Sequence, residues 1–235
     1  MLSDLHICII SHKRPGNIQK TEELLGLHKG LTWYVGENEK EDYSAAGGTI
    51  VEGGKLIPSR NHALDDAFKQ NKYCVMIEDD LISINHITAY CIPRPITFGL
   101  AIKEMYDVLK NTPMHLAGAS PTGNAFYYDP HKPLGLKHFI LGSFIMVKPT
   151  PLRFDDTLEL KEDYDYTLQH ISKYGGVCRL NYLLPRFRHS TNKGGAVDYR
   201  TEELEQSNIA KLKAKWGATI SDNPRRKNEI LLKVK

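Results

Sequence analysis

YCVMIEDDL, residues 73–81, is an apolar run that ends, with no turn residue, in three consecutive acids, Glu78, Asp79 and Asp80. A segment this apolar reads as the central strand of a sheet covered on both faces. Three neighbouring carboxylates at a buried strand end repel one another. They need a positive partner: a metal ion, an arginine or a helix N-terminus.

Upstream, HICIISHKRP (6–15) is a strand that breaks into a polar, proline-containing loop. NIQKTEELLGLHKG (17–30) has helical spacing, TWYVG (32–36) is a second strand and GTIVEG (48–53) a third. Ser59 is expected to cap a helix over RNHALDDAFKQN (60–71), which places Ala63, Leu64, Ala67 and Phe68 on one face. Strands alternating with helices predict a parallel sheet, whose ligands bind beyond the carboxyl ends of its strands. SHKRP, GENEKED (36–42) and the acid triplet all fall on that rim. Downstream, the spacing predicts a helix at 95–111, strands in HLAGAS (115–120) and 137–149, a helix over 156–176, a strand from Arg179, and a terminal helix at 199–216. No repeat or linker divides the chain, so one domain is expected: a nucleotide-binding half (1–90), an acceptor half (91–198) and a basic helical segment (199–235).

Composition is that of a soluble globular protein, with 41% hydrophobic and 25% charged residues. No apolar stretch approaches a bilayer span, and the start lacks the features of a signal peptide, so a cytoplasmic location is expected. The four cysteines are far apart without a CxxC pair and read as reduced core thiols. Charge is unevenly placed: residues 208–235 carry eight cations against two acids, net +6, on a body of net −3. That favours a polyanionic partner or a solvated basic helix face.

Clustered carboxylates at a strand end suit a hard cation, Mn2+ or Mg2+, that is also bound by a substrate's phosphate oxygens. The plain alternative is solvated acids or acids paired with lysines. Arg60 and Asn61, at a helix start, are positioned to grip a phosphate or to hold an acid. His189 in RHSTNKGG is a candidate metal ligand, with Lys193 meeting phosphate charge. Glu162, Asp163 and Asp165 in KEDYD offer a general base or, more simply, partners of a helix dipole. The motifs GxSxG, GxxxxGK[ST] and GxGxxG are absent, so hydrolase, P-loop and dinucleotide readings have no support.

The SHKRP loop after strand one, the SRNHAL helix, the acidic triplet, the later Glu162-Asp163 pair and a downstream histidine together resemble nucleotide-sugar glycosyltransferases of the GT-A fold, over residues 6 to about 195. The RNHAL helix with Ile-Glu-Asp-Asp and the closing HSTNKGG are most similar to phage glycosyltransferases associated with TET-type oxygenases, which place a sugar on 5-hydroxymethylcytosine in DNA. The resemblance implies an α/β, Rossmann-like domain with a mixed, mainly parallel sheet flanked by helices. It implies a UDP-sugar donor, a Mn2+ or Mg2+ cofactor and DNA as acceptor. Ser11, His12, Lys13 and Arg14 would lie under the uridine, Glu37 would contact base or ribose, and Arg60 would sit near the diphosphate. Glu78 or Asp79 would approach the ribose, Asp80 and His189 would hold the metal, and Asp163 would be the base or orient the acceptor. Two departures stand out: a glutamate opens the D-x-D-like element, and no tryptophan follows the E-D pair, so Asp165 competes with Asp163 for the base.

Phe126, Tyr127 and Tyr128 either stack on an acceptor base or cover the sheet. A glycan or small-molecule acceptor, or a non-enzymatic nucleotide or nucleic-acid binding module, are the competing functions.

Overall fold

A computed structural model describes residues 1–88, 91–188 and 199–234. The main sheet comprises β1 (Leu5–Ile10), β2 (Leu31–Val35), β3 (Thr49–Glu52), β4 (Tyr73–Glu78), β7 (Leu116–Ala119), β8 (Leu134–Gly135), β9 (Phe144–Val147) and β10 (Cys178–Leu180). Its order is β3-β2-β1-β4-β9-β7-β10-β8. The first four strands are mutually parallel, β9 runs antiparallel to both β4 and β7, and β10 is parallel to β7. The sheet is mixed and mainly parallel, as expected. Because β4 pairs with β9, the two halves distinguished in the sequence share one sheet.

Strand alternation explains the layers. On β1 and β4, Ile7, Ile9, Val75 and Ile77 face one side, where they meet α1 (Ile18–Leu25) and α3 (Phe98–Lys110). Cys8, Ile10, Cys74 and Met76 face the other, against α2 (Leu56–Lys69) and α4 (Glu162–Tyr174). A third apolar cluster joins α4 to α5 (Glu202–Trp216) and to the hairpin of β12 (Ile220–Asp222) and β13 (Ile230–Leu232).

Several boundaries differ from the sequence reading. The 73–81 run is not one strand. β4 ends at Glu78, Asp79 and Asp80 form a turn, and β5 (Leu81–Ile87) enters a second, antiparallel sheet with β11 (Leu183–Phe187) and β6 (Pro93–Pro95). The acids therefore stand where the chain changes sheets. α1 stops at Leu25 because Gly26, at φ 66°, bends the backbone into the left-handed region and returns its N–H to the carbonyls of Glu22 and Glu23. α2 begins at Leu56, so Ser59 is not its cap: its hydroxyl donates back to the Gly54 carbonyl at 3.1 Å, and Pro58 occupies the first turn, where no N–H is needed. α4 starts at Glu162, not 156. The preceding residues are held as a turn by the Asp155 carboxylate, which accepts from Thr157, and by the Asn208 side chain, which accepts from the Glu159 N–H. Cys8, Cys74 and Cys178 are buried free thiols, but Cys91 is exposed rather than in the core. Among the described residues, no helix is long and apolar enough to cross a membrane.

Candidate functional site

Two arginines answer most of the charge at the end of β4. Arg60, on the second turn of α2, is 2% exposed. One terminal nitrogen donates to Glu78 Oε1 at 3.0 Å and the other to Glu162 Oε1, at the start of α4. Its guanidinium lies over the Phe154 ring, 5.2 Å from the centroid. Burial opposes its charge, but Glu162, Glu78 and Asp163 outweigh that and keep it firmly protonated. Arg14 donates to Asp79 Oδ1 at 3.0 Å, while the Ser11 hydroxyl donates to Asp79 Oδ2 at 2.5 Å and contacts the Tyr43 hydroxyl at 2.6 Å. Burial still pushes Asp79 above the usual carboxylate range, against the pull of Ser11 and Arg14.

Asp80, 7% exposed, lines a cleft of about 170 Å3 between α1 and the start of β5, together with Asn17, Lys20, Thr21 and Arg188. Its carbonyl accepts the Arg188 N–H at 3.0 Å, which ties the turn to the end of β11. On the same rim, α4 presents Asp163, which is partly buried. Its carboxylate accepts the Tyr164 N–H at 2.9 Å and the Gly142 N–H at 3.3 Å. Burial first, and Glu162 second, push it up to about 7, with Arg60 pulling the other way. A carboxyl poised near neutrality can exchange a proton with a substrate hydroxyl.

Glu78 and Asp79 each have an oxygen on an arginine, and no group of three or more His, Cys, Asp and Glu side chains among the described residues is arranged to hold a metal. Asp80 supplies one carboxylate beside an open cleft, which suits a hard cation whose other ligands are phosphate oxygens and water.

Several expected site residues are placed differently. Arg60 braces acids instead of meeting a diphosphate, because both its terminal nitrogens are committed and it is buried. Asn61 exchanges two 2.9 Å hydrogen bonds with the Phe154 backbone and so clamps a loop. Asp165, fully buried, turns away from Asp163: it accepts from Trp216 Nε1 at 2.7 Å and Gln169 at 2.6 Å and pairs with Lys215 at 2.8 Å. Ser11 is spent on Asp79 and Tyr43. Glu37 is exposed, and it is Glu39, a residue the sequence did not single out, that organises the first loop by accepting the Lys13 N–H at 2.8 Å and pairing with His12 at 2.5 Å. Gly142 was also missed as a participant, as was the pairing of Glu162 with Arg60. Glu162 was visible in the KEDYD acids, but its link to Arg60 crosses 102 residues. His189 and Lys193 lie outside the described residues.

The loop leaving the carboxyl end of β7 carries Phe126 and Tyr127, 85% and 69% exposed, edge to face with centroids 5.4 Å apart. They do not cover the sheet. Four of the eight cations of the basic C-terminal segment are in ion pairs among the described residues: Lys213 with Asp222, Lys215 with Asp155 and Asp165, Arg226 with Glu229, and Lys227 with Glu202.

No protein family and no curated protein matches the chain. Solved structures do. A mycobacterial protein is similar over 94% of this chain and 80% of its own, with 11% identity and a TM-score of 0.54. A mannosyltransferase from Pyrobaculum calidifontis, in complex with GDP-Man and Mn2+, is similar over 95% of this chain and 67% of its own, with 11% identity and a TM-score of 0.53. At such identity the fold is what is shared: an α/β domain with a mixed, mainly parallel sheet flanked by helices.

Proposed function

We propose that the protein is a glycosyltransferase that moves a sugar from a nucleoside diphosphate donor, UDP-linked in the first instance, to a hydroxyl acceptor. The observation that carries this reading is one rim of the sheet on which the acid-tipped β4 and the start of α4, which bears Asp163, are joined through Arg60. Donor phosphates belong at the cleft beside Asp80, beyond the carboxyl end of β4. A divalent cation held there by Asp80, with His189 as a second ligand, would neutralise the charge that develops on the departing diphosphate. Asp163, as carboxylate, accepts the proton of the acceptor hydroxyl while its oxygen bonds to the anomeric carbon; the diphosphate leaves with the electron pair of the broken bond. Transfer through Asp163 as base inverts the anomeric configuration.

The exposed Phe126–Tyr127 pair offers a stacking surface for a ring-bearing acceptor on that rim. 5-Hydroxymethylcytosine in DNA is one such acceptor; four of the eight cations of the C-terminal segment are held in ion pairs, which weighs toward a glycan or small molecule.

The test is nucleoside diphosphate release from UDP- and GDP-sugars with Mn2+, against sugar, nucleoside and hydroxymethylated DNA acceptors, with products identified by mass spectrometry. Wild type should release diphosphate only with metal, and Asp80→Asn should lose that dependence along with turnover. Full metal-dependent turnover by Asp80→Asn would remove Asp80 from the site.

A further inference from the structure

Three carboxylates from two distant segments, Glu78, Glu162 and Asp163, surround a single buried guanidinium. Arg60 spends one nitrogen on each glutamate, and its Nε has no hydrogen-bond partner among the described residues, so its position is dictated by the two acids. Gly142 lies between this cation and Asp163. Its N–H reaches Asp163 Oδ2, while a Cβ at this position would meet Arg60, lying 2.8 Å from Cζ. Glycine at 142 is thus what lets the backbone lie against the guanidinium and still donate to Asp163.

We propose that Arg60 is a positioning residue: by sharing one cation between the tip of β4 and the start of α4, it sets the proton affinity of Asp163 and locks it to the geometry of the donor end. The inference concerns the base of the transfer proposed above and rests on that reading for its catalytic meaning, although its physical content does not. The groups that face Asp163 are Glu162 from its own helix, Arg60 from α2, and the N–H groups of Gly142 and Tyr164; Glu78 acts through Arg60, and Tyr199 lies near both Arg60 and Glu162. Removing the neighbouring negative charge must lower Asp163's affinity for a proton, and displacing the cation must raise it. Lysine cannot reproduce the arrangement, since a point ammonium cannot donate along two fixed directions to Glu78 and Glu162.

The experiment is a side-chain carboxyl 13C NMR titration of the free protein, which needs no substrate. Asp163 should titrate near neutrality in wild type. In Glu162→Gln the midpoint should fall by about one pH unit or more, and in Arg60→Lys it should rise by a similar amount. Midpoints within about 0.3 unit of wild type in both variants, each shown folded by circular dichroism, would overturn the proposal. Gly142→Ala adds an independent arm: it leaves every charge in place but forces Arg60 aside, so its midpoint should move in the Arg60→Lys direction, and an unmoved midpoint counts against the proposal. The pH profile of diphosphate release then separates the two claims. Midpoints that move without a matching move of the acidic limb retain Arg60's role and reject Asp163 as the base. Midpoints that stay put reject Arg60's role whatever the activity.

Discussion

Asp163 and Asp165 are two residues apart on α4, roughly 200° around the helix from one another, and the regions they face differ in kind. Asp165 looks into the seam with α5, fully buried, where an indole N–H, an amide and an ammonium meet its two oxygens. Asp163 looks toward the rim, less buried, with two backbone N–H groups and an acid next door. The deeper acid is the better satisfied one. Burial alone does not mark a functional carboxyl; incomplete compensation does.

The sharpest way to break this contrast is on the rim. Asp163→Asn should slow transfer by about 10²- to 10⁴-fold while leaving nucleotide binding unchanged, as read by steady-state rates against calorimetry. The same variant should not destabilise the fold. A folded-state affinity raised to about 7, against 3.8 for the ordinary group, means that the native state holds a proton the unfolded chain releases, so this carboxyl costs stability as pH rises between those values and goes on costing it above. Asp163→Asn should therefore unfold at equal or higher urea concentration than wild type at pH 8.

In the seam the expected effects are reversed. Asp165→Ala leaves the Trp216 N–H without its buried acceptor, while Lys215 keeps Asp155, and should cost about 1–3 kcal/mol in urea denaturation. Turnover per folded molecule should be retained. A variant that lost turnover but kept stability would exchange the roles of the two acids.

His170 extends the comparison along the same helix. It is fully buried among Tyr166, Tyr174 and His115, and neither ring nitrogen has a hydrogen-bond partner among the described residues. Burial drives its affinity down to about 3 from 6.5, so the native state refuses a proton that the unfolded chain accepts. The stability this histidine allows is present above 6.5 and is lost as pH falls toward 3. His170→Phe should resist acid better than wild type, by about 2–3 kcal/mol at pH 4.5 in denaturant titrations, with no difference at pH 8 beyond repacking. Between about pH 4 and 6.5 this dependence opposes that of Asp163, so the Asp163→Asn and His170→Phe pH profiles should tilt in opposite directions. At the small end, Lys227→Ala removes an exposed pair with Glu202 and should change stability by less than about 0.5 kcal/mol.

What the sequence by itself determined was the layered sheet, because two-residue alternation in HICII and YCVMI and helical spacing in ALDDAF and AIKEM are local patterns. It also located the charge to be explained, since three consecutive acids directly follow an apolar run. Whether a cation, an arginine or a dipole answered that charge was beyond it. Arg60 meets Glu78 and Glu162 only because α2 and α4 pack on the same face of the sheet. Nothing near residue 162 in sequence signals a partner at 60. The fates of Asp163 and Asp165 were likewise hidden, because both fit the start of a helix and only the docking of α5 removed one of them from the rim. Local chemistry is written in neighbours along the chain; the proton affinity of a buried acid is written in neighbours across it, and those exist only once the layers have closed.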